Sequence, residues 1–217
     1  MKTLIKYNLF LVSLIFCFTP TQEIKSQDFG ADVVSSYVWR GAEYGTGLAV
    51  QPWMELGAGN LTGGVWGSFN KAEGAYDGNE LDLWVSYDFG PLALTVTSYT
   101  FPGAGGAGDV FDGDNGDIEV SGSTSLGPVD LTVGYFTDHG ALYVEAGFPI
   151  GPVGVAVGYG SDGDVGFYAG GDSGLVNVSF SGSKDIAITE DFSLPVFGSF
   201  IINPDAEAAF LVFGFSL

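Results

Sequence analysis

The chain is 217 residues long, 46% hydrophobic and 15% aromatic, with 35 glycines, and Lys+Arg 6 against Asp+Glu 26 gives a formal net charge of −20. That excess of carboxylates excludes nucleic acid and anionic membrane surfaces as partners, and the single cysteine, Cys17, excludes a disulfide-stapled scaffold. High apolar content without a helical period or a long apolar run in the body of the chain points to a sheet with one apolar face.

The N-terminus carries Lys2 and Lys6, an apolar run over 9–18 and a polar stretch reaching Ser26 and Gln27. This is the layout of a secretory signal peptide, too short to cross a bilayer as a helix. Residues 1–27 are expected to be removed, leaving 28–217 as one exported domain whose basic residues are Arg40, Lys71 and Lys184. Phe16 stands where a lipoprotein would need a small residue before Cys17.

A first strand is predicted over 28–40, with Phe29, Ala31, Val33, Tyr37 and Trp39 on one face, followed by a turn over 41–47. The second, 48–57, puts Leu48, Val50, Met54 and Leu56 outward and Gln51, Trp53 and Glu55 inward, and Pro52 predicts a bulge or a sheet margin. Gly59-Asn60 is a tight turn into a third strand over 61–70, where Val65 and Phe69 oppose Trp66 and Ser68. After a polar loop, 81–101 displays the building unit most clearly. Leu81, Leu83, Val85, Tyr87 and Phe89 alternate with Asp82, Trp84, Ser86 and Asp88, Gly90-Pro91 intervenes, and Leu92, Leu94 and Val96 alternate with Ala93, Thr95 and Thr97. A period of two on both sides of a turn is an antiparallel hairpin, and arms of about ten residues suit tilted strands crossing hydrocarbon.

A Gly/Asp-rich loop over 102–116 leads to a strand over 117–126, with Ile118, Val120 and Leu126 outward and Glu119, Ser121, Ser123 and Ser125 inward. The Gly-Pro turn recurs at Gly127-Pro128 and Gly151-Pro152, bounding strands over 129–135, 141–148 and 153–160, with an Asp138-His139-Gly140 turn between. Segment 161–174, containing Phe167 and Tyr168, reads either as loop or as the start of a strand reaching about Lys184. Strands over 191–202 and 207–217 complete the chain.

Turns after even-numbered strands are very short and those after odd ones mostly longer, the asymmetry of an outer-membrane barrel with periplasmic turns and outer loops. The fold class is therefore all-β, a closed up-and-down antiparallel transmembrane β-barrel of about twelve strands, with ten or fourteen as alternatives. A soluble β-sandwich is the rival, since alternation alone does not say whether the apolar face meets lipid or a second sheet. The scarcity of polar residues on one face of successive strands favours the barrel.

Four segments in order resemble the TorF-type porins of Gram-negative bacteria: Ser35-Ser36-Tyr37-Val38-Trp39-Arg40-Gly41, Gly63-Gly64-Val65-Trp66-Gly67-Ser68, Glu80-Leu81-Asp82-Leu83 and Tyr99-Thr100-Phe101-Pro102-Gly103. Ser36 departs from the pattern, which often has an acidic residue there, and beyond Gly103 the likeness is architectural. The resemblance implies an outer-membrane barrel acting as a passive channel, and it names no solute.

With the larger apolar residues facing lipid, Glu55, Glu80, Asp82, Asp88, Glu119, Asp130 and Glu145 line the lumen, opposed mainly by Arg40. An acidic lumen favours cations. Trp53, Trp66, Trp84, Tyr99 and Tyr143 also point inward, which predicts a narrow or partly filled path, while Tyr37, Trp39, Tyr87, Phe89, Tyr99, Phe101 and Tyr135 near strand ends fit interfacial girdles. The alternative for the carboxylates is a solvated rim.

Asp112, Asp114, Asn115 and Asp117 have the oxygen spacing of a weak Ca²⁺ loop. They miss the EF-hand pattern, since Gly116 is fifth from Asp112 and no glutamate is twelfth. No other cofactor is expected. His139, the sole histidine, has no serine near it in sequence, and no Walker, Rossmann or Cys/His cluster is present, so an enzyme is not expected. Phe213 and Phe215 resemble the C-terminal signal read by the barrel-assembly machinery, with Leu217 in place of the usual terminal aromatic. The sequence reading is a passive diffusion channel in outer-membrane lipid; a non-conducting structural or adhesive barrel is the alternative.

Overall fold

The computed structural model describes residues 26–71, 79–102, 116–161, 163, 167–168 and 173–217. Fourteen strands and no helix occur among them: β1 Ser26–Val34, β2 Tyr37–Trp39, β3 Ala42–Tyr44, β4 Thr46–Ala58, β5 Leu61–Lys71, β6 Glu80–Asp88, β7 Ala93–Thr100, β8 Gly116–Leu126, β9 Val129–Phe136, β10 Leu142–Ile150, β11 Val153–Ser161, β12 Gly174–Ala187, β13 Ser193–Asn203 and β14 Ala208–Ser216. β1 and β4 to β14 form a closed antiparallel up-and-down barrel of twelve strands, each pairing with the next along the chain, while β14 returns to β1. β2 and β3 are a separate two-stranded hairpin.

Register turns the period of two into two distinct surfaces. Pairs such as Met54↔Val65, Val65↔Leu83 and Val85↔Val96 stack apolar residues on the outside, and Trp66↔Asp82, Asp82↔Tyr99 and Thr97↔Glu119 run around the inside. Phe29 is 80% exposed and Leu211 73%, so the outer face is an apolar surface that the protein itself leaves uncovered.

Glycine has a specific job on the inner face. A Cβ on Gly64 would stand 2.8 Å from the Trp84 ring, one on Gly30 2.9 Å from Trp53, and one on Gly158 2.6 Å from Tyr143 Cζ. Large rings thus lie down on the bare backbone of a neighbouring strand. That is how a wall of this many aromatics fits inside twelve strands.

At one end of the barrel, β4–β5, β6–β7, β8–β9 and β10–β11 are joined by two to four residues, and residues 188–192 join β12 to β13. This last connection is longer than the Gly-Asn or Gly-Pro turns anticipated after even strands. Residues 1–25, most of the segment expected to be a signal sequence, lie outside the described residues, and Ser26 and Gln27 open β1.

Two expectations are corrected. The first barrel strand ends at Val34, not near Arg40, because Ser35 bonds back to β14 through its amide and hydroxyl and the chain then bends into the barrel as β2. Pro52 causes no bulge: the register passes evenly from Val50↔Phe69 to Trp53↔Trp66, and the irregularity falls at Thr46–Ala49. Pro52 lacks an N–H, and the ladder tolerates the single missing donor without shifting.

Candidate functional site: a plugged acidic lumen

Hairpin β2–β3 fills one half of the barrel, the end away from the short turns. Its turn is Arg40-Gly41, with φ of 49° and 82° between the paired Trp39 and Ala42, the positive-φ pair of a type I′ hairpin. Glycine suits such a turn, but arginine there is strained by about 1 kcal/mol. The reason for tolerating it lies across the lumen. Arg40 makes a two-pronged ion pair with Glu119 of β8, Nη2 donating to Oε1 at 3.0 Å, and Nη1 donates to Tyr168 Oη at 2.6 Å. The guanidinium carbon lies 4.2 Å from the centre of the Trp39 ring and 4.3 Å from that of Tyr143.

The pair is far from solvent, with side chains 11% and 2% exposed. Burial opposes the charge on Arg40, and its hydrogen bond to Glu119 together with the electrostatic pull of Tyr168, Glu119 and Tyr99 outweighs that, so its pKa is raised above the ordinary value. Gly41 is pressed so closely on β12 that a Cβ would collide with the Val176 carbonyl, and Asn203 Nδ2 donates to the Gly41 carbonyl at 3.1 Å. The hairpin therefore spans from β1 and β4 to the opposite wall.

Aromatic packing closes the remaining space. Trp39 touches Tyr99, Phe136, Phe167 and Tyr168, and Tyr37 touches Tyr44 and Trp66. Val176, the extra residue of a bulge opposite Gly158/Tyr159, adds a second inward side chain next to Asn177. Burial, reinforced by nearby Glu80, pushes the Tyr44 hydroxyl up to about 12, so it stays a hydrogen-bond donor at neutral pH.

The carboxylates fall into two groups. Glu80, Asp82 and Glu119 are buried against the plug, Glu80 and Asp82 side by side on the inner face of β6. Glu55, Asp88, Asp130 and Glu145 lie beyond the plug, toward the short-turn end. Glu145 accepts from the Tyr143 hydroxyl and from Asn177 Nδ2 at 2.9 Å. Asp130 accepts from Ser125 Oγ at 2.6 Å, and Asp88 accepts from Gly90 N at 2.6 Å within its turn, so these two sit at the rim. Inner-face residues Ser123, Ser125, Ser181, Ser183 and Asp185 are exposed. The inner face thus carries exposed hydroxyls and carboxylates toward the short-turn end and is covered by the plug at the other.

Tyr37 and Trp39, expected at an interfacial girdle, are inside the lumen, as are Tyr99 and Phe101, which pack against or beside the plug. Tyr87, Phe89 and Tyr135 do lie exposed on the outer face. Phe167 and Tyr168 belong to the connection before β12 and reach into the lumen. Asp117, from the proposed calcium loop, faces inward opposite Tyr99 with Oδ1 3.9 Å from His139 Nε2. Asp112, Asp114 and Asn115 lie outside the described residues, and among those described no group of three or more His, Cys, Asp or Glu is placed to hold a metal ion. His139 packs against both Phe136 and Phe167, which also touch each other.

Fold and interior together define a class, the small closed β-barrel with an internal plug. No family model and no curated protein matches the chain, so its particular function rests on this geometry.

Proposed function

We propose that the protein is an outer-membrane barrel that passes small hydrophilic solutes or ions, with preference for cations, and that hairpin β2–β3 holds the path closed at rest. The observation that carries this reading is the division of the lumen. One half is a solvated acidic chamber, and the other is sealed by a single hairpin latched through Arg40 and Glu119. Carboxylates lower the energy of a cation in a confined path, and Arg40, which faces into the lumen, is already neutralised by Glu119.

Lipid is the natural partner of the uncovered apolar outer face, because patches of that extent on a soluble monomer draw association. A closed barrel also satisfies every strand's backbone, the condition for crossing hydrocarbon. Export through a cleaved signal over 1–27 and insertion by the barrel-assembly machinery through Phe213 and Phe215 of β14 complete the reading, which involves no covalent chemistry, and the TorF-type resemblance points the same way.

Planar-bilayer recording of the purified barrel tests it. Rare openings with cation-selective reversal potentials are expected, with frequent ones once the hairpin is released by Arg40→Ala. Silence from both proteins, or anion selectivity, overturns the channel. The dense aromatic packing around Trp39 favours one second reading, a non-conducting structural or adhesive barrel, and silence from both proteins would select it.

A further inference from the structure

Between the plug and the wall lies a recess whose lining includes Trp39, Glu80, Tyr99, Asp117, Phe136 and Phe167. It has room for a particle the size of a water molecule. We infer that this recess is a binding site for a compact monovalent cation, ammonium. The inference deepens the channel reading by naming what the acidic path accepts, and it rests on that reading only for the route by which the ion arrives.

Ring faces carry negative potential and attract ammonium-like cations, most strongly where water is excluded. Here Trp39 and Tyr99 lie 5.6 Å apart, Tyr99 and Phe136 5.5 Å, and Phe136 and Phe167 4.7 Å, so four rings form a continuous wall around the space. Glu80 and Asp117 contribute carboxyl groups from β6 and β8. No basic side chain occurs among the described residues that line the recess, and Arg40 is held on Glu119 and Tyr168.

Hydrogen-bonding capacity behind the walls is also unfilled. Asp82 Oδ1 and both ring nitrogens of His139 are buried without a partner among the described residues, and His139 is gripped by the Phe136 and Phe167 rings that form the recess. Buried polar atoms left in this state call for an ion or water nearby.

Other occupants fit worse. Divalent calcium or magnesium requires six or more oxygen ligands, and two carboxylates among rings do not provide them. Anions meet Glu80 and Asp117, and a quaternary ammonium exceeds the space.

Ammonium chloride titration of the detergent-folded protein at constant ionic strength, read by tryptophan fluorescence, tests the site, with tetramethylammonium chloride as the size control. A saturable ammonium response is expected, absent for tetramethylammonium, lost in Trp39→Phe and shifted at least tenfold to higher concentration in Glu80→Gln and in Asp117→Asn. Each variant is first checked for the heat-modifiable band of a folded barrel, and either acidic variant alone suffices should the other fail to fold. A response that never saturates, that tetramethylammonium reproduces, or that both folded acidic variants retain at wild-type affinity overturns the site. Conductance without a saturable response removes the site and leaves the channel. A saturable response without conductance does the reverse.

Discussion

Replacing Arg40 by alanine isolates the latch, because Arg40 contributes nothing to the barrel's own ladders. The substitution leaves Glu119, 2% exposed, without its counter-charge, and breaking a buried pair from one side costs about 3–5 kcal/mol. The stacks on Trp39 and Tyr143 add roughly 0.5–2 kcal/mol each when desolvated. Alanine does not relieve the turn, since φ at this position remains positive. Taking only the ion-pair figure, the ratio of docked to released hairpin falls by about 10² to 10³·⁵.

Open probability in a planar bilayer reads that ratio, and the heat-modifiable band reports whether the twelve-strand barrel persists. The double variant Arg40→Ala/Glu119→Gln should recover part of the loss, since it removes the stranded charge as well. An unchanged open probability in a folded Arg40→Ala barrel would refute the latch. So would a double variant more open than Arg40→Ala, because the harm would then not come from an uncompensated Glu119.

Glycine substitutions test the wall. Gly64→Ala places a Cβ 2.6 Å from the Met54 carbonyl and 2.8 Å from Trp84, and should destabilise the barrel by about 1–3 kcal/mol in urea unfolding, whereas Gly182→Ala meets nothing within 4 Å and should be neutral or slightly stabilising. Equal effects would remove the ring-on-glycine account. On the outer face, Leu211→Arg should cost about 2–4 kcal/mol in vesicles if mid-strand residues meet hydrocarbon; a change within about 0.5 kcal/mol would contradict lipid contact. In the chamber, Glu55→Gln with Asp130→Asn should move the reversal potential toward the unselective value in a barrel whose hairpin is released, and no movement would place the selectivity elsewhere.

Much of the cylinder is legible in the residues because alternation and turn chemistry are local. The Leu81–Phe89 alternation and the Gly127-Pro128 and Gly151-Pro152 turns suffice to mark strands and hairpins, and inner and outer faces follow from period alone. The plug is hidden for the same reason. Tyr37 and Trp39 continue the alternation of Phe29, Ala31 and Val33, so a lumen hairpin and a longer strand look identical in period, and only Arg40-Gly41 between Trp39 and Ala42 hints at a turn. Arg40 is recognisable as the main counter-charge, yet its choice of Glu119, 79 positions away, depends on the hairpin crossing the lumen. The recess likewise needs Trp39 from the plug, Glu80 and Asp117 from the wall and Phe167 from a connection, which no spacing brings together.

The contact between the two ends of the chain carries a consequence of its own. β1 and β14 share three register partners, Asp32↔Ser216, Val33↔Phe215 and Val34↔Gly214, against nine between β1 and β4. Backbone bonds from Ala31 to Leu217 and from Ser35 to Phe213 extend this join only slightly. It is the shortest zipper in the cylinder and so the line along which local opening requires the least free energy. In a barrel inserted as proposed, a split there would face sideways into lipid, a lateral opening from the inner face that bypasses the hairpin altogether.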